Sequence, residues 1–161
     1  MKIAISGHTK GLGKILYENF SSKYKTIGFS RTTGHDIKSP SDRKDIVKQC
    51  KDVDIFINNV HNYYHQSDIL FELHQAWSGQ KKLIINIGSK AANDPEFGKG
   101  DYGLIEYRTQ KKNVLTMTGN LQNSFEWPHI KDYEIQEINF EVDRNNLNNI
   151  VEIYERKILK K

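Results

Sequence analysis

Residues 3–14 read IAISGHTKGLGK. An apolar run, Ile3-Ala4-Ile5, is followed at once by glycines at Gly7, Gly11 and Gly13, and then by a helix-like stretch. That order describes a strand, a tight turn and a helix start. Glycine accepts positive φ and lets another group approach where a Cβ would block it. A helix N-terminus offers unpaired N–H groups and partial positive charge, so an anion is held well there. The stretch therefore suits a phosphate. Three glycines alone also suit an ordinary β–α turn, and the rest of the chain has to decide.

Working outward, strands alternate with helices. Strand-like runs fall at Ile3 to Ser6, Thr26 to Phe29, VDIFIN, KKLIINIG and Tyr133 to Phe140, with at most a vestigial strand at His35 to Ile37. Helices are expected from Gly11 to Ser21, from an N-cap at Ser41 to Lys51, and from Ser67 or Asp68 to Gln80. Two more are expected, from Gly103 to Ser124 and from Leu147 to Leu159. Such alternation predicts a parallel sheet with right-handed crossovers and helices on both faces. The fold class is thus α/β, a Rossmann-like doubly wound parallel sheet. Ligands bind beyond the carboxyl ends of strands in such sheets. Here those ends carry Ser6-Gly7, Ser30-Arg31, Asn58-Asn59 and Gly88-Ser89.

The 161 residues fit one compact domain, 1–161, with a sizeable core. The composition, 37% apolar and 27% charged, is that of a soluble globular protein. No apolar run approaches a membrane span, and MKIAISG is too short for a signal peptide's apolar segment. A cytoplasmic location with no membrane partner is the expectation. The net charge of +4 suits an anionic small ligand. With no Arg-rich cluster, zinc pattern or RNA-binding signature, no nucleic acid partner is expected. Cys50 is the single cysteine, so the chain has no internal disulfide or thiolate zinc site; a half-buried structural thiol is expected. His61 and His65 have a metal-like spacing without a third ligand, so no metal is expected.

The stretch INIGSKAA puts Ser89 at a strand end, and EYRTQKK puts Tyr107 and Lys111 four apart on one helix face. A free phenol ionises near pH 10, too high for ready proton transfer at neutral pH, and a nearby ammonium favours the phenolate. A hydroxyl such as that of Ser89 suits a substrate oxygen on which charge changes.

At this point the sequence resembles the short-chain dehydrogenase/reductase family. SGHTKGLG is similar to its TGxxxGxG loop, FINNVH to its NNAG segment, INIGSKAA to the strand carrying its serine, and Tyr107 to Lys111 to its YxxxK pair. HDIKSPSD resembles the Asp-hydrophobic pair that lies against the adenine. The motifs occur in the family's order from Lys2 to about Phe140.

The resemblance implies that Gly7, Gly11, Leu12 and Gly13 hold the pyrophosphate, that Asp36 and Ile37 contact the adenine, and that Asn58 and Asn59 line the ribose side. It implies Tyr107 as the acid, or the base in reverse. Lys111 would bind the nicotinamide ribose and tune Tyr107, and Ser89 would orient the carbonyl. NAD binders usually carry an acidic residue after the second strand. Here Ser30 is followed by Arg31, and the glycine loop adds Thr9 and Lys10, so NADP(H) is the expected cofactor. The expected activity is NADPH-dependent reduction of a small-molecule carbonyl substrate, or oxidation of the alcohol. The alternative is a non-catalytic NADP(H)-binding regulator or scaffold.

The chain departs from the family in length. A helix is missing between the second strand and Asp36, His61 stands where the family has Gly, and the substrate lobe is reduced. The intervening helix offers no clear counterpart of the family's catalytic Asn. A pocket left open suits completion by a second subunit, so a homodimer or homotetramer is expected. Tyr63 and Tyr64 are expected as a pocket wall or loop packing, and Phe125 and Trp127 as core or interface.

Overall fold

The computed structural model describes residues 1–123, 128–135 and 138–159. Among them, five strands form one parallel sheet: β1 (Lys2–Ser6), β2 (Lys25–Phe29), β3 (Ile55–Asn58), β4 (Leu83–Ser89) and β5 (His129–Ile135). Their order is β2-β1-β3-β4-β5, with every neighbouring pair parallel. The chain runs outward from β1 to β2, then returns across β1 to β3. The sheet therefore changes direction between β1 and β3, where doubly wound sheets open a crevice at their carboxyl ends.

Five helices cover the two faces: α1 (Gly11–Ser21), α2 (Pro40–Gln49), α3 (His65–Ala76), α4 (Tyr102–Gln122) and α5 (Phe140–Tyr154). Alternation along each strand assigns the layers, because successive side chains point to opposite faces. Ile3, Ile5, Ile55, Ile57, Leu83 and Ile85 pack against Leu16 and Phe20 of α1 and Leu147 and Val151 of α5. Ala4, Phe56, Ile84 and Ile130 face the other way, onto Ile46 of α2 and Ile69, Leu70 and Leu73 of α3, with Met117 and Leu121 of α4 alongside. Strands buried on both sides read as continuous apolar runs, as in an α/β sandwich. No helix among the described residues is long and apolar enough to cross a membrane.

Several boundaries differ from the sequence expectation. Residues His35 to Ile37 form no strand; they lie in the loop that precedes α2. Helix α2 begins earlier, at Pro40, with the Ser39 hydroxyl rather than Ser41 accepting from the Asp42 amide. Proline suits a first helical position, where its missing N–H goes unneeded. Helix α3 starts at His65, ahead of Ser67 and Asp68, with no side-chain cap. The Ser67 hydroxyl instead donates to Asn113 of α4 at 2.6 Å, and Asp68 meets His65 Nδ1 at 2.8 Å. Strand β5 lies upstream of the expected run, and Phe140 opens α5 behind an Asn139 cap. Cys50 is fully buried rather than half-buried, and burial pushes its thiol up to about 12. Phe125 and Trp127 lie outside the described residues.

Candidate active site

The glycine turn follows β1 directly. Gly7 has φ +74° and Gly11 φ +53°, both in the region that favours glycine. The Gly7 amide donates to the Phe29 carbonyl at 2.8 Å, tying the turn to the end of β2. Gly13 is required by contact: a Cβ there would collide with the Gly7 carbonyl oxygen and with Asn59 Nδ2. Leu12 turns away into the core beside Leu16. Lys10 occupies the N-cap of α1, without a side-chain cap and with no acidic residue in the first turn. The amides that open α1 are thus left for an outside acceptor.

The segment after β3 braces this turn. The Ser6 hydroxyl accepts from the amides of Asn59 and Val60 at 3.0 and 3.1 Å. Asn59 Nδ2 reaches the Ser6 carbonyl at 3.2 Å and the Gly7 carbonyl at 3.4 Å. Its side chain therefore holds the loop and is spent on backbone acceptors, not on the ribose side. Asn58 departs further from expectation. It is wholly buried, with Nδ2 donating to Asn86 Oδ1 at 2.9 Å and to the Gln66 carbonyl at 2.8 Å. Asn86 in turn donates to Thr118 of α4 at 2.8 Å. A buried amide must find such partners, and these fix Asn58 inside the fold.

At the β1/β3 crevice a cleft of about 290 Å³ is lined by Gly7, Thr9, Lys10, Ser30, Arg31 and Asp36, with Phe29, Thr32, His35, Ile37, Val60, His61 and Asn62 completing it. Lys10 and Arg31 take part in no ion pair among the described residues. The far end is held by Arg43, whose guanidinium donates to the Ile37 carbonyl at 2.7 Å and to Glu72 at 2.8 Å. The Asp36 amide donates to Asp42 at 2.9 Å. Chemically this is a cationic cleft at an uncapped helix start, suited to a phosphate-bearing ligand.

A second cleft, about 240 Å³, shares His61 and Asn62 with the first and is lined further by Tyr63, Gly103, Glu106, Tyr107 and Gln110. Tyr107 thus reaches a cavity that adjoins the cationic one. His61 presents one side to solvent and packs the other on Tyr107; desolvation, with the Lys111 charge adding to it, holds its imidazole down to about 4. Tyr63 forms part of the wall with φ +47°, a strained setting for a non-glycine residue. Tyr64 lines a neighbouring groove with Tyr102.

Two expected residues are placed otherwise. Ser89 is 7% exposed and lines neither cleft; its hydroxyl accepts from the Ala91 amide at 3.3 Å as the cap of the short turn Lys90–Asn93. Lys111 is 3% exposed and also lines neither cleft. Its ammonium donates to Gln66 Oε1 at 3.0 Å and to the Ile87 carbonyl at 2.8 Å, and lies 5.9 Å from the Tyr107 ring centroid. Burial lowers the Lys111 ammonium to about 8. The reading from sequence missed Gln66, Gln110, Val60 and Asn62. A buried Gln on an apolar helix face was the one signal for Gln66.

No protein-family model and no curated protein matches the sequence. Solved structures do match. The bulky-bulky ketone specific alcohol dehydrogenase from Comamonas testosteroni superposes with TM-score 0.72 at 16% identity, over 96% of this chain and 83% of that one. The chain has the Rossmann-like α/β fold of that structure. A short chain dehydrogenase from Burkholderia cenocepacia J2315 in complex with NADP gives TM-score 0.67 at 16% identity, over 89% and 75%. The 3-alpha-hydroxysteroid dehydrogenase from Pseudomonas sp. B-0831, complexed with NADH, gives 0.66 at 20%, over 84% and 72%. What is shared is the Rossmann-like parallel sheet with its flanking helices.

Proposed function

We propose that the protein is an NADP(H)-dependent oxidoreductase that reduces a small carbonyl compound, or oxidises the alcohol, with Tyr107 as the proton donor or acceptor. The observation that carries this reading is the shared wall between the two clefts. One cleft gathers the uncapped start of α1 with Lys10 and Arg31; the adjoining one is lined by Tyr107. The match to structures complexed with NADP and NADH supports a nicotinamide cofactor.

The residues present fit such a cofactor. The turn leaves open space at Gly11, and the unpaired amides of α1 suit a pyrophosphate. Lys10 and Arg31 suit a 2′-phosphate, since guanidinium binds phosphate through paired, charge-assisted hydrogen bonds. Asp36 and Ile37 line the same cleft and suit the adenine end. When bound, the nicotinamide supplies or accepts the hydride.

This chain's own part is to hold and move a proton. The Tyr107 hydroxyl donates it to the substrate oxygen during reduction. Lys111, held beside the ring by Gln66 and Ile87, stabilises negative charge on Tyr107 during that transfer. Ser89 accepts in its turn cap and keeps its hydroxyl proton to orient the carbonyl, with the lining polar groups Asn62, Glu106 and Gln110 alongside. A screen of carbonyl compounds for NADPH oxidation tests the reading. Turnover of any compound that depends on Tyr107 supports it. Tight NADPH binding with no compound reduced would favour the regulatory or scaffold alternative.

A further inference from the structure

Proton transfer at Tyr107 leaves Asp132 unused, a half-buried residue whose carboxylate oxygens are both buried. Asp132 sits on β5, paired in register with Asn86 of β4, on the sheet face that packs against α3 and α4. Both its carboxylate oxygens are screened from solvent and have no hydrogen-bond partner among the described residues. An unpaired buried carboxylate is costly, so its presence calls for a compensating charge. The carboxylate lies against the backbone of Gly88: a Cβ on Gly88 would meet Asp132 Oδ2 at 2.6 Å and Oδ1 at 2.8 Å. The residue before Gly88 is Ile87, whose carbonyl holds the Lys111 ammonium at 2.8 Å. The ammonium and the carboxylate are therefore gathered on adjacent residues of one strand. The hydrogen-bond acceptors of Lys111, Gln66 Oε1 and the Ile87 carbonyl, are both neutral.

We propose that Asp132 is the counter-charge of Lys111, a positioning residue that keeps the ammonium cationic beside Tyr107. The functional part rests on the proposed oxidoreductase reading; the charge coupling does not. Lys111 faces Tyr107 on its own helix, His61 from the segment after β3, Gln66 from α3 and Asp132 from β5. Asp132 faces Lys111 and, on its own strand, Glu134, which accepts from Asn93 at 2.9 Å. Burial, with Glu134 adding to it and Lys111 opposing, raises Asp132 to about 6. Burial lowers Lys111 to about 8, and Asp132 opposes that fall. Between those values both groups are charged. Below the window Asp132 takes a proton and Lys111 loses its counter-charge. Above it Lys111 loses its own proton. Lys111 stays cationic below the window, so the pair limits activity on the alkaline side, at a pH that Asp132 raises.

The test is an NMR titration of the full chain carrying 13C-labelled lysine, with Lys111 assigned by the Lys111→Met variant. It needs neither cofactor nor substrate, so its failure is separable from failure of the proposed activity. In the wild type the Lys111 resonance should show two steps, its own near pH 8 and one near pH 6 that follows Asp132. In Asp132→Asn the lower step should vanish and the upper midpoint should fall by about one unit or more, the shift expected for losing an opposite charge nearby. An unchanged or raised midpoint in Asp132→Asn would overturn the proposal. So would a wild-type Lys111 resonance with no step near pH 6, a result that stands even if the variant does not fold. With a substrate in hand, Asp132→Asn should move the alkaline limb of kcat to lower pH.

Discussion

His61 stands edge-on to Tyr107, with ring centroids 4.8 Å apart and planes at 67°. The same imidazole borders the cationic cleft and the Tyr107 cleft. It partitions the cleft proposed for phosphates from the cleft proposed for proton exchange. Because its pKa is held down to about 4, it stays neutral across the physiological range and contributes no charge to either side. His61→Gly should join the two clefts. Calorimetry should then show NADPH binding several-fold tighter, with 2′,5′-ADP, which lacks the nicotinamide half, unchanged. Equal shifts for both ligands would mean that His61 acts on the whole loop and not on the partition.

Cofactor choice follows from Lys10 and Arg31, which line the first cleft without ion-pair partners among the described residues. NADPH should bind more tightly than NADH. Arg31→Ala should weaken NADPH by roughly ten- to a hundredfold, the range for hydrogen bonds to a charged group, and leave NADH nearly unchanged. Titration of both nucleotides against both proteins checks this. A wild-type preference for NADH would remove the role given to these cations.

The glycine turn separates two kinds of glycine requirement. Gly13 is hemmed in by the Gly7 carbonyl and Asn59, whereas Gly11 has open space around a positive φ. Gly13→Ala should destabilise by about 1–3 kcal/mol through overpacking and also abolish nucleotide binding, because α1 must move off the turn. Gly11→Ala should cost about 1–2 kcal/mol in backbone strain and retain more binding. Thermal unfolding with and without NADPH distinguishes the two.

The first β–α unit was legible because its information is local. Apolar alternation, glycines and the start of α1 all lie within residues 3–14, and helix α1 falls at Gly11–Ser21 as read. The pairing of Tyr107 with Lys111 was likewise visible as a four-residue step on one helix. What Lys111 does there was not, since its partners Gln66 and Ile87 are 45 and 24 residues away. Asn58 and Asn59 looked alike in sequence, yet Asn58 ends β3 and Asn59 opens the segment after it. One enters the buried Gln66 and Asn86 network and the other braces the turn. Strand β5 was misplaced because the alternating pattern continues past Ile135 toward Phe140. The true limits come from pairing with Leu83 to Ser89, and from Asp143, which receives the Tyr133 hydroxyl and the Asn139 amide at the start of α5.

Assembly follows from what the helices leave uncovered. Phe71 of α3 and Tyr102 and Leu104 of α4 are 44%, 92% and 43% exposed. Exposed apolar side chains of this size suit a contact between copies, for which two-fold pairing is the simplest closed solution. Light scattering at tens of micromolar should give a dimer or tetramer mass, reduced by Tyr102→Lys with Leu104→Lys. A monomer mass for the wild type would count against this.

The account stands most directly on the phenol of Tyr107. Once a carbonyl compound reduced by the wild type has been found, NADPH affinity and turnover should be measured together for Tyr107→Phe. The ring and its packing on His61 are kept while the hydroxyl is removed. NADPH affinity should survive and kcat should fall by about 10²–10⁴-fold, the usual contribution of a positioned acid or base. Turnover at the wild-type level in Tyr107→Phe would contradict the account, because the proton would then be moved by another group.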